Sequence, residues 1–363
     1  MSSTFARPRT AHVLDAVTDA PGRILHVVES HARSAFSALG EYLAATRHLE
    51  HWVLVTEPCD PAGIPPGMRG ARIVSLPGGH RARLRAIADT YAEVKPDRVH
   101  AHSFGAGMYV RLSPSIPTDS IVYSPHCYAF ERRDLRAAAR LLAIACEYVL
   151  APRADVVAVC TPREGQLAAR LHRSGKIVQV PRVPRGSALG RMDVPPPVTM
   201  GATAVTMGPL SPQRDPAFFV RAAAAADPGL TWIWIGDGEP RYRRLLEKAG
   251  ICVTGRLPRR NAFRLLRTAD VYVHTAAWEG SHDTLLQAAV AGLPVVARSI
   301  PALRALRLPG LAPTPEILAD TVLRLLDSPV DRRIHSEAVR RAFRSNTRAT
   351  QVARLLALYG SGR

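Results

Sequence analysis

Two polar side chains flank the start of a short apolar helix predicted in the carboxyl-terminal half of this 363-residue chain. Glu279 precedes the helix, and Gln287 follows eight positions later, on the helix itself. The free N–H groups at such a helix N-terminus favour phosphate. A carboxylate beside a phosphate site fits a ligand that also carries hydroxyl groups, as a nucleotide sugar does. The other interpretation is that Glu279 only caps or solvates its loop.

The surrounding sequence predicts a strand–helix–strand unit that positions these two groups. Residues 271–275 form an apolar, β-branched run that is typical of a buried parallel strand. Gly292 and Pro294 end the helix, and residues 294–297 begin the next strand. Ligands of open α/β sheets bind at the carboxyl ends of the strands, where Glu279 lies.

The composition limits the class of protein. A chain of this length, 47% hydrophobic, predicts two domains with separate cores. Because it has no run of about 18 uncharged apolar residues, no transmembrane helix is expected, and no signal peptide is recognisable. The five cysteines are scattered and odd in number, which favours the reducing cytosol over disulfides or a zinc site.

The net charge of +18 has two interpretations: a polyanionic partner, or, for part of the excess, an Arg-rich sequence bias without a partner. Nucleic acid is one candidate and an anionic membrane surface is the other. The basic residues are spread along the chain without a nucleic-acid motif, so we expect peripheral contact with a membrane and no nucleic acid. DNA binding that weakens steeply with salt would reverse this preference.

Strands alternate with helices along most of the chain, which predicts doubly wound parallel sheets. The longest helix expected in the first half spans residues 131–150, and the sequence is helical from about residue 316 onwards. A proline-rich stretch separates the two halves. We expect a mobile extension at 1–20, an α/β domain at 21–185, a linker at 186–200, a second α/β domain at 201–345 and a final helix at 346–363.

The segment from Asp270 to Ser299 resembles the donor signature of retaining GT-B glycosyltransferases of the family-4 type (glycosyl transferases group 1). The family pattern has a Glu, seven residues, a second Glu and then a Gly-Leu-Pro-Val-Val run. Glu279 holds the first position and AGLPVVA matches the run, whereas Gln287 stands at the second Glu. The resemblance implies two Rossmann-like domains, with a C-terminal helix that crosses back to the first.

Further matches imply residues that would hold the donor. The segment MGPLSPQRDP, which includes Gly208, resembles the family's diphosphate clamp. Arg214 stands at its Lys position, where a guanidinium suits phosphate without a metal, although an exposed residue at a helix entry is the alternative. Pro209 replaces the family's Arg and offers no charge.

The remaining donor contacts are also implied by the resemblance. Arg256 and Leu257 fall in the segment that receives the nucleotide base. The backbone amides of Ser281 and His282 would stabilise the leaving diphosphate, while Gln287 would bind the ribose through its amide.

On the acceptor side, the family often places a histidine where His126 ends a strand, although a structural role is the alternative. The usual Gly-Gly pair after the first strand is absent here, so His31 and Arg33 could meet an anionic or hydroxyl-rich acceptor. Cys127 has no visible partner that would make it a nucleophile. His100 and His102 face one side of a strand, where packing is favoured over an incomplete metal set.

The resemblance implies a retaining enzyme, while the cysteines favour the cytoplasm and the charge favours contact with the inner face of the plasma membrane. Such an enzyme would move a hexose from a nucleoside-diphosphate sugar to a lipid-linked or polysaccharide acceptor, with Glu279 and His126 at the transferred sugar and no metal or other cofactor. The alternative is a relative that has lost transfer and acts as a binding or scaffold partner in glycan assembly. Pro209, Gln287 and the loss of the Gly-Gly pair after the first strand favour that alternative. Binding of a nucleotide sugar discriminates between the two.

Overall fold

The computed structural model describes residues 22–29, 33–56, 64–172, 175–184 and 201–360, with only the backbone of Arg33. The expected N-terminal extension, most of the linker and His31 lie outside the described residues. The exact domain limits therefore stay predictions.

The first half of the chain forms a sheet of seven parallel strands. The strands are β1 (Arg23–Val28), β2 (Glu50–Val55), β3 (Arg72–Ser75), β4 (Arg98–His102), β5 (Ile121–Ser124), β6 (Val156–Val159) and β7 (Lys176–Gln179). Their spatial order is β3-β2-β1-β4-β5-β6-β7, so the winding reverses between β1 and β4. The crevice at such a switch point is a ligand-binding position.

The second half forms a sheet of six strands with the same plan. They are β8 (Thr203–Met207), β9 (Thr231–Ile235), β10 (Cys252–Val253), β11 (Val271–His274), β12 (Val295–Arg298) and β13 (Leu311–Ala312). In the order β10-β9-β8-β11-β12-β13, the winding reverses between β8 and β11. The two sheets confirm the predicted pair of doubly wound parallel sheets.

Helices cover the sheets because the central strands bury apolar side chains on both faces. The helices of the first half are α1 (Arg33–Ala45), α2 (His80–Val94), α3 (Phe104–Leu112), α4 (Ala137–Leu150) and α5 (Pro162–Leu171). Those of the second half are α6 (Pro216–Ala225), α7 (Pro240–Lys248), α8 (Arg259–Arg267), α9 (Asp283–Ala291), α10 (Pro301–Arg304), α11 (Pro315–Asp327), α12 (Pro329–Ala342) and α13 (Arg348–Gly360). Among the described residues, no helix has both the length and the apolar character needed to cross a bilayer.

The last helix packs on the first sheet. Leu355 and Tyr359 of α13 share a buried cluster with Ile24 of β1 and Tyr42 of α1. The Gln351 amide also donates to the Pro181 carbonyl at 2.9 Å. The predicted return of the C-terminal helix to the first domain is therefore confirmed.

One local expectation was wrong, and one short strand was missed. The helix expected at residues 131–150 begins at Ala137, because a short 3₁₀ helix at Ala129–Glu131 ends in an extended Arg132 and the backbone is still extended at Arg136 (ψ 150°). The C-terminal run expected to be helical consists of α11, α12 and α13, and Ser328 caps α12 by accepting from the Asp331 amide at 3.1 Å. Strand β13 was not predicted, since two residues carry no periodic pattern.

Candidate active site

The two charged residues singled out by the sequence, Glu279 and Arg214, lie on neighbouring loops at the switch point of the second sheet. Arg214 follows β8 and Glu279 follows β11, and these strands are adjacent. The Thr275 hydroxyl donates to the Arg214 carbonyl at 2.7 Å, and the Ala277 amide donates to the Gln213 carbonyl at 2.8 Å. These two hydrogen bonds fix the position of one loop relative to the other.

The Glu279 carboxylate is bound by two side chains. One of its oxygens, Oε2, accepts from Arg214 at 2.9 Å and from Nε2 of His274 at 3.1 Å. All three side chains are almost fully buried. His274 is the last residue of β11 and was not predicted as a site residue; its only sequence signal is a polar side chain that ends an apolar strand.

The charges in this trio are fixed by their mutual contacts. Burial alone raises the pKa of Glu279, but the attraction of Arg214 and the hydrogen bond from His274 outweigh it and hold this pKa well below its ordinary value. Burial lowers the pKa of His274, which the Glu279 contact only partly opposes. At neutral pH the trio is a carboxylate, a guanidinium and a neutral imidazole.

The Arg214 side chain packs against Gly208, where no other residue type would leave enough space. The Gly208 φ of 147° suits only glycine, and an added Cβ would lie 2.9 Å from Nε of Arg214. That Nε is buried and has no hydrogen-bond partner among the described residues. A buried donor without a partner is costly, so a ligand that accepts from Arg214 would be favoured here.

The N-terminus of α9 lies next to this trio. His282 precedes the helix with φ 55° and is 2% exposed, and both of its ring nitrogens lack a partner in the described part of the chain. Burial lowers the pKa of His282 to about 4, so the ring is neutral at pH 7. Ser281 accepts a hydrogen bond at 3.0 Å from Ser34 of the first half.

His126 reaches the same place from the first sheet. A Cβ on Gly280 would lie 2.7 Å from the His126 carbonyl oxygen and 2.8 Å from Cβ of Cys127. His126 and Cys127 both have positive φ, at 50° and 108°. Glu164 holds them in this conformation by accepting from the Cys127 amide at 2.6 Å. Such strained backbone is characteristic of functional sites.

A buried ion cluster joins the two halves beside the site. Arg182, 1% exposed, pairs bidentately with Asp283 of α9 at 3.0 Å and with Glu41 of α1 at 3.1 Å. Sequence reasoning missed Arg182 because it lies next to the proline-rich linker and matches no motif.

The expected base-side residues lie farther along the sheet. Arg256 and Leu257 follow β10, which is separated from β8 by β9. The loops are nevertheless in contact, because a Cβ on Gly236 would lie 2.2 Å from the Gly208 carbonyl oxygen and Gly236 bridges to Gly255. Arg256 directly follows Gly255 and is exposed.

For the other expected site residues, the structure gives a position but, among the described residues, no hydrogen bond or ion pair with the Glu279, Arg214 and His274 side chains. Gln287 is half-buried, one turn into α9, and Pro209 is exposed. Arg33 begins α1, but its side chain is not described. Burial raises the pKa of the Cys127 thiol well above its usual range, which opposes a nucleophilic role.

In the described part of the chain, His26, His100 and His102 lie close enough together for one metal ion to contact all three. Each offers a ring nitrogen, and these nitrogens lie within 4.8 Å of one another. The nitrogens are already engaged, however: His26 bonds His102 at 3.1 Å, and His100 bonds Tyr359 and Ser124 at 2.9 Å. Hydrogen bonding therefore accounts for this cluster.

Fold and site together define a two-domain glycosyltransferase of the GT-B type. Residues 32–183 match the profile of the glycosyl transferase 4-like domain, and residues 201–328 match that of glycosyl transferases group 1. The chain belongs to the glycosyl transferases of group 1 and is a glycosyltransferase. No curated protein matches the sequence at a significant level.

Several solved structures share the fold along nearly their whole length. Sucrose-phosphate synthase from Thermosynechococcus elongatus is 17% identical with a TM-score of 0.73, covering 93% of this chain and 98% of its own. HepE from Anabaena, in complex with UDP and glucose, is 15% identical with a TM-score of 0.72, and the match covers 94% of this chain and 100% of HepE. WaaG, a glycosyltransferase involved in lipopolysaccharide biosynthesis, is 14% identical with a TM-score of 0.60, covering 93% and 98%.

Proposed function

We propose that this glycosyltransferase transfers a hexose, with retention, from a nucleoside-diphosphate sugar to a lipid-linked or polysaccharide acceptor. The observation that carries the proposal is the buried pairing of Glu279 with Arg214 at the switch point of the second sheet. One group suits sugar hydroxyls and the other suits phosphate. The N-terminus of α9 and His126 lie against the same loop.

In this proposal the transferred sugar lies between the two halves. Glu279 accepts from its hydroxyls, and His126 contacts it from the first domain. Nε of Arg214, unpartnered among the described residues, binds the diphosphate together with the amides of Ser281 and His282, where negative charge develops. The outer donor contacts would be Gly208, Arg256, Leu257 and Gln287.

The proposed reaction needs no metal, because Arg214 and the helix N-terminus supply positive charge at the diphosphate. Retention without a nucleophile would follow a same-face mechanism, in which the departing phosphate and the incoming hydroxyl share one face of the sugar. The high pKa of the Cys127 thiol supports the absence of a thiolate nucleophile there.

Donor binding tests the proposal most directly. Calorimetric titration with UDP, GDP and ADP, in the presence of EDTA, should show saturable binding of one nucleotide. UDP is the first candidate, since HepE was solved with UDP. We expect Arg214→Ala to weaken that binding at least about tenfold, because a charge-assisted hydrogen bond to phosphate is lost.

The matched control is Arg264→Ala, which removes an exposed arginine of α8 outside the site and should bind like the wild type. Folded wild-type protein that binds none of the three nucleotides would contradict the proposed donor. It would favour the alternative of a binding or scaffold partner.

Helix α4 supports a membrane-associated acceptor. Its buried side carries Glu147, which is ion-paired with Arg111 at 2.9 Å. Its outer side is apolar, with exposed fractions of 67% for Leu141, 65% for Leu142 and 72% for Val149. Exposed arginines lie at or before its first turns, namely Arg132, Arg133, Arg136 and Arg140. An apolar face beside basic residues matches the chemistry of an anionic bilayer surface.

We therefore expect the full chain to bind vesicles that contain phosphatidylglycerol, and to bind pure phosphatidylcholine vesicles much more weakly. Leu141→Ser/Leu142→Ser should reduce sedimentation with the anionic vesicles about tenfold or more, since two large apolar side chains are lost from the interface. The control Val330→Ser/Ile334→Ser alters two exposed apolar residues of α12 and should sediment like the wild type. Equal loss in both variants would refute α4 as the contact.

A further inference from the structure

Four buried histidines form a continuous hydrogen-bonded row that leads to the candidate site. Nδ1 of His51 lies 3.1 Å from Nε2 of His26, Nδ1 of His26 lies 3.1 Å from Nε2 of His102, and Nδ1 of His102 lies 3.1 Å from Nε2 of His126. These residues belong to β2, β1, β4 and the end of β5, which are successive neighbours in the first sheet. The row therefore crosses the sheet towards the cleft.

The direction of every bond in this row is set at its far end. Nε2 of His51 lies 2.9 Å from the Thr46 carbonyl oxygen, which can only accept. The Thr46 hydroxyl lies 3.1 Å from the same nitrogen and already donates to the Tyr42 carbonyl at 2.8 Å. Nε2 of His51 must therefore carry the proton, and Nδ1 of a neutral His51 must accept.

The same alternation passes along the row. Because His51 accepts, His26 donates from Nε2 and accepts at Nδ1, and His102 does the same. His126 then donates from Nε2 to His102 and keeps a bare lone pair on Nδ1. Burial, with the repulsion of neighbouring histidines, lowers the pKa of His26 and His126, and burial lowers that of His102 to about 3. The rings are therefore neutral, as the alternation requires.

The surroundings of His126 suit a hydroxyl ligand. Its Nδ1 is buried and has no partner among the described residues. Arg182 lies close enough for its positive charge to contribute to the lowered pKa of His126, and NH1 of Arg182 is also unpartnered there. A hydroxyl can satisfy this acceptor by donating to Nδ1. A phosphate oxygen, which only accepts, would meet a lone pair at Nδ1.

We propose that His51, His26 and His102 are positioning residues that hold His126 in its Nε2–H tautomer, so that Nδ1 accepts a hydrogen bond from a hydroxyl of the bound sugar. The sugar contact rests on the proposed function, whereas the tautomer does not. His100 is buried in the same cluster, with its ring centroid 3.9 Å from that of His102, but it bonds Tyr359 and Ser124 instead. It is therefore outside the row.

The tautomer is tested without any substrate. Long-range proton–nitrogen correlation spectra of the ¹⁵N-histidine-labelled full chain at pH 7 distinguish protonated from bare ring nitrogens, and a His126→Gln sample assigns the signals. We expect protonated Nε2 and bare Nδ1 at His126. A protonated Nδ1 at His126, or stoichiometric metal on His26 or His102 in the purified protein, would overturn the proposal.

A matched pair of variants tests the role of the row. His51→Phe removes the acceptor that fixes the direction of the row, so His126 should no longer hold a single tautomer, and part of it should carry the proton on Nδ1. His100→Phe removes an equally buried imidazole and should leave His126 unchanged. An unchanged His126 tautomer in folded His51→Phe would show that the row does not set it.

The sugar contact is tested with monodeoxyfluoro analogues of whichever donor the titrations identify. Fluorine cannot donate a hydrogen bond, so one analogue should lose about tenfold in kcat/KM with the wild type and with His100→Phe. With His51→Phe, the penalty for that analogue should shrink to about threefold or less. A penalty that is equal in all three proteins would refute the contact while leaving the tautomer result standing.

Discussion

Turnover should fall about 100- to 1000-fold in Glu279→Gln, the largest effect expected of any single substitution in this protein. The change keeps the size of the side chain but removes the charge that Arg214 and His274 bind at 2.9 and 3.1 Å. Arg214 would lose its buried counter-ion, and the sugar hydroxyls would lose a carboxylate acceptor. Initial rates with the identified donor, at saturating acceptor, measure the loss.

The control for this substitution is Glu247→Gln, which neutralises an exposed glutamate paired with Arg243 at 3.0 Å on α7. It should keep wild-type turnover, because exposed ion pairs contribute little. Thermal denaturation of both variants shows whether the fold is intact. Wild-type turnover in folded Glu279→Gln would exclude the proposed role of this carboxylate.

Arg182→Met should lower the free energy of unfolding by about 3–5 kcal/mol, because it leaves two carboxylates without their buried partner. Asp283 and Glu41 meet this guanidinium at 3.0 and 3.1 Å from opposite halves of the chain. The substitution should also weaken donor binding, since Asp283 begins the helix whose N-terminus lies at the proposed diphosphate site.

Urea denaturation and donor titration test the two parts of this expectation. Arg111→Met is the matched control, because it breaks an equally buried pair with Glu147 inside the first half. It should cost similar stability while leaving donor affinity nearly unchanged. Arg182→Met/Asp283→Asn should regain part of the lost stability. Wild-type stability in Arg182→Met would show that the cluster does not join the halves.

The sequence by itself determined the two doubly wound sheets, most strand positions and the placement of Glu279 and Arg214 after strands. These features follow from local patterns: apolar β-branched runs are buried strands, and Gly and Pro end helices. The family follows as well, because the AGLPVVA run and its neighbouring glutamate are contiguous. Helix 131–150 was misplaced at its start because residues 132–136 leave the helical conformation although the sequence pattern favours helix.

The tertiary structure alone decided which side chains meet. Glu279 with Arg214 and His274, Arg182 with Asp283 and Glu41, and the four-histidine row join strands or halves that are far apart in sequence. A local pattern reports whether a residue is buried and which backbone conformation it takes. Its partner depends on strand order and on how the two sheets face each other, because parallel strands bring together residues that the intervening helices separate along the chain.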